Sequence, residues 1–142
     1  MIQAARSGRQ NIAEGSAASS TSRETELKLT NVAKASLQEL LLDYEDYLRQ
    51  NKLEQWGITD ARTVKARNIC KKHNDTEFYM KQIPSRSAET VANIAIILIH
   101  QADTLLRLLI ERQKEDFLKY GGIREEMSRA RIAYRQQQNW KK

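Results

Sequence analysis

A stretch of small residues could support anion chemistry. Gly15 precedes seven small residues, Ser16 to Ser22, and then a charged helix start, a pattern that could offer backbone amides to a phosphate. However, Glu14 and Glu24 flank the segment, and no lysine follows the glycine. The pattern therefore favours a corner between two helices over an anion site.

The same corner has its own capping residues. Gly15 lies where a left-handed residue would end the first helix, and Thr21 or Ser22 would begin the next. We expect Asn11 and Glu14 to stabilise the corner by hydrogen bonds.

Cys70 and His73 have a Cys-x-x-His spacing, and His100 is the second histidine. A structural zinc site needs four ligands in set spacings, so we predict no metal site. Glu39 and Asp43 lie one helical turn apart, which is typical of a solvated surface. No nucleophile elbow, Walker loop, dinucleotide fingerprint or HExxH pattern is present, and we predict no catalytic residues and no cofactor. The weakest alternative is an enzyme that uses the Cys70/His73 region.

The composition indicates one globular all-α domain. The chain has 142 residues, 40% of them hydrophobic and 30% charged, with five glycines and one proline. One cysteine permits no intrachain disulfide, which fits a cytoplasmic protein. No signal peptide opens the chain, and the longest apolar run, Ile94 to Ile99, is short of the ~20 residues that span a bilayer, so we predict no membrane association.

Apolar periodicity and capping residues predict an antiparallel up-down helical bundle over residues 1–120. Asp60 or Thr59 would begin its short helix, and Ser85 or Ser87 its last one. After Gly121 and Gly122, residues 121–142 form a C-terminal basic amphipathic helix. The predicted bundle helices are about 2–14, 23–50, 60–72 and 87–120.

The helix over 87–120 carries two apolar stripes, where one would suffice to bury a single side. One stripe contains Val91, Ile94, Leu98, Ala102, Leu105 and Leu109, and the other contains Ile96, Ile99, Leu106 and Ile110. Two stripes indicate either a fully buried helix in a monomer or a helix that also meets another subunit. We favour the second and expect a homo-oligomer.

Basic residues concentrate in two segments. Residues 60–86 carry seven basic against three acidic residues, and residues 120–142 carry six against two, in a chain of net charge +6. Such clusters indicate an anionic partner such as nucleic acid, although they could serve solubility alone. The candidate phosphate contacts are Arg6, Arg9, Lys65, Arg67, Lys71, Lys72, Arg124, Arg131 and Arg135.

Two motifs carry a resemblance to a known family. They are Asn-Ile-Ala-Glu-Gly, residues 11–15, and Ala-x-x-Ser-Leu-x-Glu-Leu, residues 33–40, which includes Ser36 and Glu39. The chain resembles the four-helix-bundle family of proteins encoded in intervening sequences of 23S ribosomal RNA. The tail that begins Gly-Gly-Ile-Arg-Glu-Glu-Met is similar to that of its four helix bundle suffix subgroup.

The resemblance implies a small basic helical protein that can form ring-like pentamers. It also implies a further helix before Met1, which this sequence lacks. A related protein, the accessory variability determinant of diversity-generating retroelements, assembles with a reverse transcriptase and RNA.

Together these features predict a non-enzymatic scaffold that self-associates and binds the RNA or DNA backbone. The alternative is a protein–protein adaptor that does not bind nucleic acid.

Overall fold

The structure is a computed structural model that describes the backbone of residues 2–18, 23–120 and 123–140, and the side chains of residues 3–11, 23–120 and 127–140. Within those ranges the chain is helical throughout its regular structure and contains no strand. The all-α helical-bundle class is therefore confirmed. The α-helices are α1 (Ile2–Ala18), α2 (Arg23–Gln50), α3 (Ala61–Lys72), α4 (Thr76–Gln82), α5 (Ala88–Tyr120) and α6 (Ile123–Trp140).

The predicted end of the first helix at Gly15 is wrong, because α1 continues through Gly15 to Ala18. The residues that follow the glycine include two alanines, the strongest helix formers, so the local propensity to continue outweighs the cost of one glycine. Thr21 and Ser22, the predicted caps of the next helix, lie outside the described residues, as do Gly121 and Gly122.

The other predicted helices are confirmed to within two residues at their bounds, and one helix was missed. Asp60 caps α3, and Ser87 caps α5 by accepting a hydrogen bond from the Thr90 amide at 3.2 Å. Asp75 caps the unpredicted α4 by accepting a hydrogen bond from the Phe78 amide at 3.1 Å. A 3-10 helix over Ile83–Ser85 then leads toward α5.

The described chain divides into two compact units. Unit 1 comprises Met1–Ala5 and Ser36–Leu105, and unit 2 comprises Arg6–Ala35 and Leu106–Lys142. The division falls inside α1, α2 and α5, so each of these three helices contributes residues to both units.

In unit 1, the core centres on Leu48, Ala92 and Ile96, with Leu41, Tyr44 and Leu53 packed against them. The turn that follows the C-terminal end of α2 contributes Leu53 to this core. Lys52 adopts a positive φ of 54°, and the Leu53 amide donates to the Leu48 carbonyl at 2.8 Å, which is a Schellman motif. The turn thereby places Leu53 against the residues that α2 and α5 bury.

Unit 2 has a smaller apolar core with a polar pair inside it. Ala33, Leu106 and Ile110 are buried, and the buried Gln113 donates its Nε2 hydrogen to Thr30 Oγ1 at 3.0 Å. The Thr30 hydroxyl in turn donates to the Glu26 carbonyl at 2.9 Å. A side-chain hydrogen bond therefore joins α2 and α5 within this unit.

The two apolar stripes of α5 differ in burial. The stripe of Ile96, Ile99, Leu106 and Ile110 is buried throughout. In the other stripe, Leu105 is 67% exposed and the remaining five residues are half-buried. One stripe thus supplies the cores of the units, and the other is covered only in part.

Candidate functional site

The most basic described element is α3, and its N-terminus is firmly anchored. Asp60 accepts hydrogen bonds from the Arg62 amide at 2.8 Å and from Arg62 Nη2 at 2.8 Å. These bonds to Arg62 hold the pKa of the Asp60 carboxyl below its usual value, because they favour the ionised form. Arg62 also forms an ion pair with Glu54 at 3.1 Å and lies over the Trp56 ring, 4.8 Å from its centroid. Arg62 is therefore occupied by contacts within the protein.

The four predicted phosphate contacts on α3 are not so occupied. Lys65, Lys71 and Lys72 are exposed, and Arg67 is half-buried. Within the described part of the chain, none of the four side chains forms an ion pair. The helix packs through Thr63 and Cys70. Four positive charges on one short helix therefore have no ion-pair partner among the described residues.

Spacing along α3 divides these four residues between two sides of the helix. Lys65 and Lys72 are seven residues apart and share one side, while Arg67 and Lys71 are one turn apart on another. Arg67 and Lys71 line a cavity that is described below.

The remaining predicted contacts belong to unit 2. Arg6 and Arg9 are exposed on α1, and Arg131 and Arg135 are exposed one turn apart on α6. The side chain of Arg124 lies outside the described residues. The structure therefore divides the predicted contacts between the two units, with only the α3 set in unit 1.

The amphipathic pattern of α6 does not lead to burial of its apolar side. Met127, Ala130 and Tyr134 share one side, but every described side chain from Met127 to Trp140 is exposed. The helix consequently presents both an apolar and an arginine-bearing side to solvent.

Asn11, which we expected to stabilise the corner after α1, makes its hydrogen bond within its own helix. Asn11 Nδ2 donates to Ser7 Oγ at 3.3 Å, one turn back within α1. The expected bond from Glu14 concerns a side chain outside the described residues. Ser36 is buried and Glu39 is exposed.

A cavity that sequence reasoning missed lies in unit 1, between α3, α5 and the segment that joins α2 to α3. We call it the α3–α5 cavity; its volume is about 790 Å³. Its apolar lining includes Trp56, Ile96, Ile97 and Leu105, and its basic lining consists of Arg67, Lys71 and His100. Of the described residues, no aspartate or glutamate lines it.

Two polar atoms of residues that line this cavity lack a partner. The Thr63 hydroxyl and the Trp56 indole N–H are buried without a hydrogen bond to any described residue. Thr63 is only 6% exposed. Both atoms are closed off from solvent, so a molecule in the cavity could not bond to them unless the surrounding side chains moved.

The Asn93 side chain fixes one wall of the cavity. Its Oδ1 accepts from the Trp56 amide at 2.8 Å, and its Nδ2 donates to the carbonyls of Glu54 at 2.9 Å and Glu89 at 2.8 Å. The residue is buried, and it ties the segment that carries Trp56 to α5. The sequence contains no local signal for this anchor, because its partners lie up to 39 residues away.

The Cys70/His73 region has the features of a packed core. Cys70 is buried, and burial raises the pKa of its thiol, an effect that a hydrogen bond with Tyr79 partly offsets. Burial also raises the pKa of Tyr79 to about 12, and the Tyr79 hydroxyl donates to the His73 carbonyl at 2.7 Å. The His73 ring stacks on Phe78 at 3.8 Å between centroids. A protonated buried thiol is a poor nucleophile.

Two further observations concern metals and membranes. Among the described residues, no group of three or more His, Cys, Asp or Glu side chains could hold a metal ion. Over the same residues, one helix, Ala88–Tyr120, is long and apolar enough to cross a membrane, a criterion that the core helix of a soluble protein also meets.

Comparison of the chain with protein-family models, with curated proteins and with solved structures finds no match. The family resemblance of the two motifs therefore stays a prediction.

Proposed function

We propose that this protein is a non-enzymatic helical scaffold that self-associates and binds the backbone of RNA or DNA. The observation that carries the proposal is α3, which has five basic and no acidic residues among its twelve. Four of these basic side chains form no ion pair within the described part of the chain. Charges left unpaired at a surface are available to phosphates, whose neutralisation releases counterions.

Backbone binding of this type requires no base reading. Lysine provides a point charge rather than the planar fork that reads a base edge, and α3 has three exposed lysines. We therefore expect similar affinities for unrelated sequences and a steep loss of affinity with salt.

The experiment measures the fluorescence anisotropy of labelled 20-nucleotide RNA and DNA strands over a range of KCl concentrations. Lys65→Gln/Lys72→Gln should lower the slope of log affinity against log salt by about 1.4 for a single strand, since each lost contact contributes about 0.7. The matched control is Lys28→Gln/Lys114→Gln, which removes the same charge from exposed positions on α2 and α5. An equal effect of both pairs, or no binding by the parent protein at about 50 mM salt, would refute the proposal.

A third double variant separates the two basic helices. Arg131→Gln/Arg135→Gln changes two exposed arginines of α6 and leaves α3 unchanged. If this pair lowers the salt slope as the α3 pair does, both helices contact phosphate; if only the α3 pair lowers it, α3 is the nucleic-acid surface. An effect of the α6 pair alone would refute the assignment of the surface to α3.

Self-association is supported by exposed apolar side chains. Leu105 in unit 1 is 67% exposed, and Leu118 and Trp140 in unit 2 are 84% and 91% exposed. Light scattering should give a mass of two or more times the 16.4 kDa of a single chain. A monomer at all concentrations would contradict this part of the proposal, whereas an oligomer that fails to bind nucleic acid would favour the adaptor alternative.

The family that the motifs resemble adds two narrower proposals, a pentameric ring and a reverse transcriptase as partner. Chemical crosslinking would count the subunits, and co-purification with the product of any neighbouring reverse transcriptase gene would test the partner.

A further inference from the structure

The α3–α5 cavity has the size and lining of a small-molecule site. Ligand pockets commonly measure about 300–1,000 Å³ and combine apolar walls with a few polar groups. This cavity, at about 790 Å³, falls in that range, and its walls include Ile96, Ile97 and the Trp56 ring.

The charges around the cavity select the sign of the ligand. Arg67 and Lys71 line it from one side of α3, and His100 lines it from α5, without an opposing carboxylate among the described residues. Neither Arg67 nor Lys71 forms an ion pair in the described part of the chain. A negatively charged ligand would therefore meet uncompensated positive charge beside an apolar wall.

The two basic side chains on α3 supply donors of the matching kind. The Arg67 guanidinium and the Lys71 ammonium can donate hydrogen bonds and cannot accept them. A carboxylate is an acceptor only and can accept several hydrogen bonds. We propose that the α3–α5 cavity binds a small amphipathic carboxylate, with its apolar body against Ile96 and Ile97 and its carboxylate toward Arg67 and Lys71. This proposal does not depend on nucleic-acid binding.

The chain offers an internal reporter for the experiment. It has two tryptophans, of which Trp56 lines the cavity and Trp140 is 91% exposed. Trp140→Phe leaves Trp56 as the single indole fluorophore. Decanoate is then titrated as the probe, below its micelle concentration, and compared with decanol and decyltrimethylammonium, which have the same apolar chain and a neutral or positive head.

We expect a saturable change of Trp56 emission with decanoate, and an affinity at least tenfold weaker for decanol and for decyltrimethylammonium. Equal responses to all three probes would show apolar adsorption without a carboxylate site and would overturn the proposal. So would the absence of a saturable response to decanoate.

Two adjacent lysines provide a matched pair of variants. Lys71 lines the cavity, whereas Lys72, also exposed, does not. Lys71→Gln should weaken decanoate binding about threefold or more, the range for one exposed charge pair, and Lys72→Gln should leave it unchanged. Equal effects of both variants would show a general surface-charge effect and would overturn the proposal.

A third variant tests the position without changing charge. Ile97→Phe enlarges a buried wall residue and should abolish the Trp56 response to decanoate, provided that the circular dichroism of the variant matches the parent. A folded Ile97→Phe protein that binds decanoate as the parent does would place the site elsewhere.

A second copy of the chain is the competing occupant. If Trp56 emission changes with protein concentration in the absence of decanoate, in step with the mass from light scattering, the copy covers the cavity and the proposal fails.

Discussion

At the scale of single residues, two buried threonines differ in the hydrogen bonding of their side-chain hydroxyls. Thr30 is 2% exposed and both donates and accepts a hydrogen bond, whereas Thr63 is 6% exposed and has no partner for its hydroxyl. A buried hydroxyl without a hydrogen bond costs roughly 1–3 kcal/mol. The unpaired Thr63 hydroxyl therefore lowers the stability of the folded chain.

The same substitution should consequently have opposite effects at the two positions. Thr63→Val should raise the free energy of unfolding by about 1 kcal/mol, because it removes an unpaired polar atom at constant shape. Thr30→Val should lower it by roughly 1–3 kcal/mol, because it leaves the Gln113 amide unpaired. Urea unfolding followed by circular dichroism measures both, and a loss of stability in Thr63→Val would show that its hydroxyl is paired.

Asn93 is the residue whose loss should be most costly. Asn93→Leu keeps a similar volume but removes three hydrogen bonds, and it leaves the Trp56 amide and the Glu54 carbonyl without that partner. We expect a loss of about 3 kcal/mol in unfolding free energy. The control is Asn31→Leu, since Asn31 is exposed and makes one bond to its own helix; a similar loss in both variants would argue against the anchor.

At the scale of elements, the sequence predicted α2, α3 and α5 closely and missed the shortest α-helix, α4. The span of α2 was predicted as 23–50 and observed as Arg23–Gln50, because many turns of apolar periodicity agree with one another. The seven residues of α4 give less than two turns of such signal.

The sequence predicted only those parts of the candidate site that come from neighbouring residues in the chain. The basic residues of α3 follow from the sequence, as does the Asp60 cap. The α3–α5 cavity does not, because Trp56, Thr63 and Ile97 meet there only after the chain has folded. The Gln113–Thr30 pair likewise joins residues 83 positions apart.

The cap of α3 should depend on acid. Because the pKa of Asp60 in the folded chain lies below its ordinary 3.8, the ionised carboxylate favours the folded state. The stabilisation from the Asp60 carboxylate is complete when the pH is above the ordinary pKa of the group. It disappears as the pH falls through the pKa that Asp60 has in the folded chain. We expect the Arg62 amide resonance in NMR spectra to shift with the Asp60 carboxyl carbon at a midpoint below 3.8, and Asp60→Asn to lose that titration. A midpoint at or above 3.8 would contradict the observed bonds to Arg62.

The turn after α2 should be improved by glycine. Lys52 has a φ of 54°, in the left-handed region that costs an L-residue roughly 1–2 kcal/mol. Glycine avoids that cost but adds some unfolded-state entropy, so Lys52→Gly should stabilise the protein by roughly 0.5–1 kcal/mol. Lys28→Gly, at an exposed position inside α2, should instead destabilise it by about 1 kcal/mol. Thermal unfolding of the two variants measures the difference, and a destabilising Lys52→Gly would show that the left-handed conformation is not kept.

At the scale of the whole molecule, two compact units share three continuous helices. The unit boundary falls after Ala5 in α1, after Ala35 in α2 and after Leu105 in α5, with no break in any of the three helices. Fraying one unit would remove helical turns that continue into the other. Chains of this length usually unfold in one cooperative transition, and the shared helices give this chain a physical reason to do so.

We predict that a destabilising substitution in unit 2 also lowers the urea midpoint for the unfolding of unit 1. With Trp56 as the single tryptophan in a Trp140→Phe background, urea unfolding by fluorescence and by circular dichroism should share one midpoint. Thr30→Val, in unit 2, should then lower the Trp56 midpoint by the same amount as the helical midpoint, because one transition has one free energy. If the variant lowers the helical midpoint while Trp56 keeps that of the parent, the units unfold independently, and the helices that they share break at the boundaries between the units.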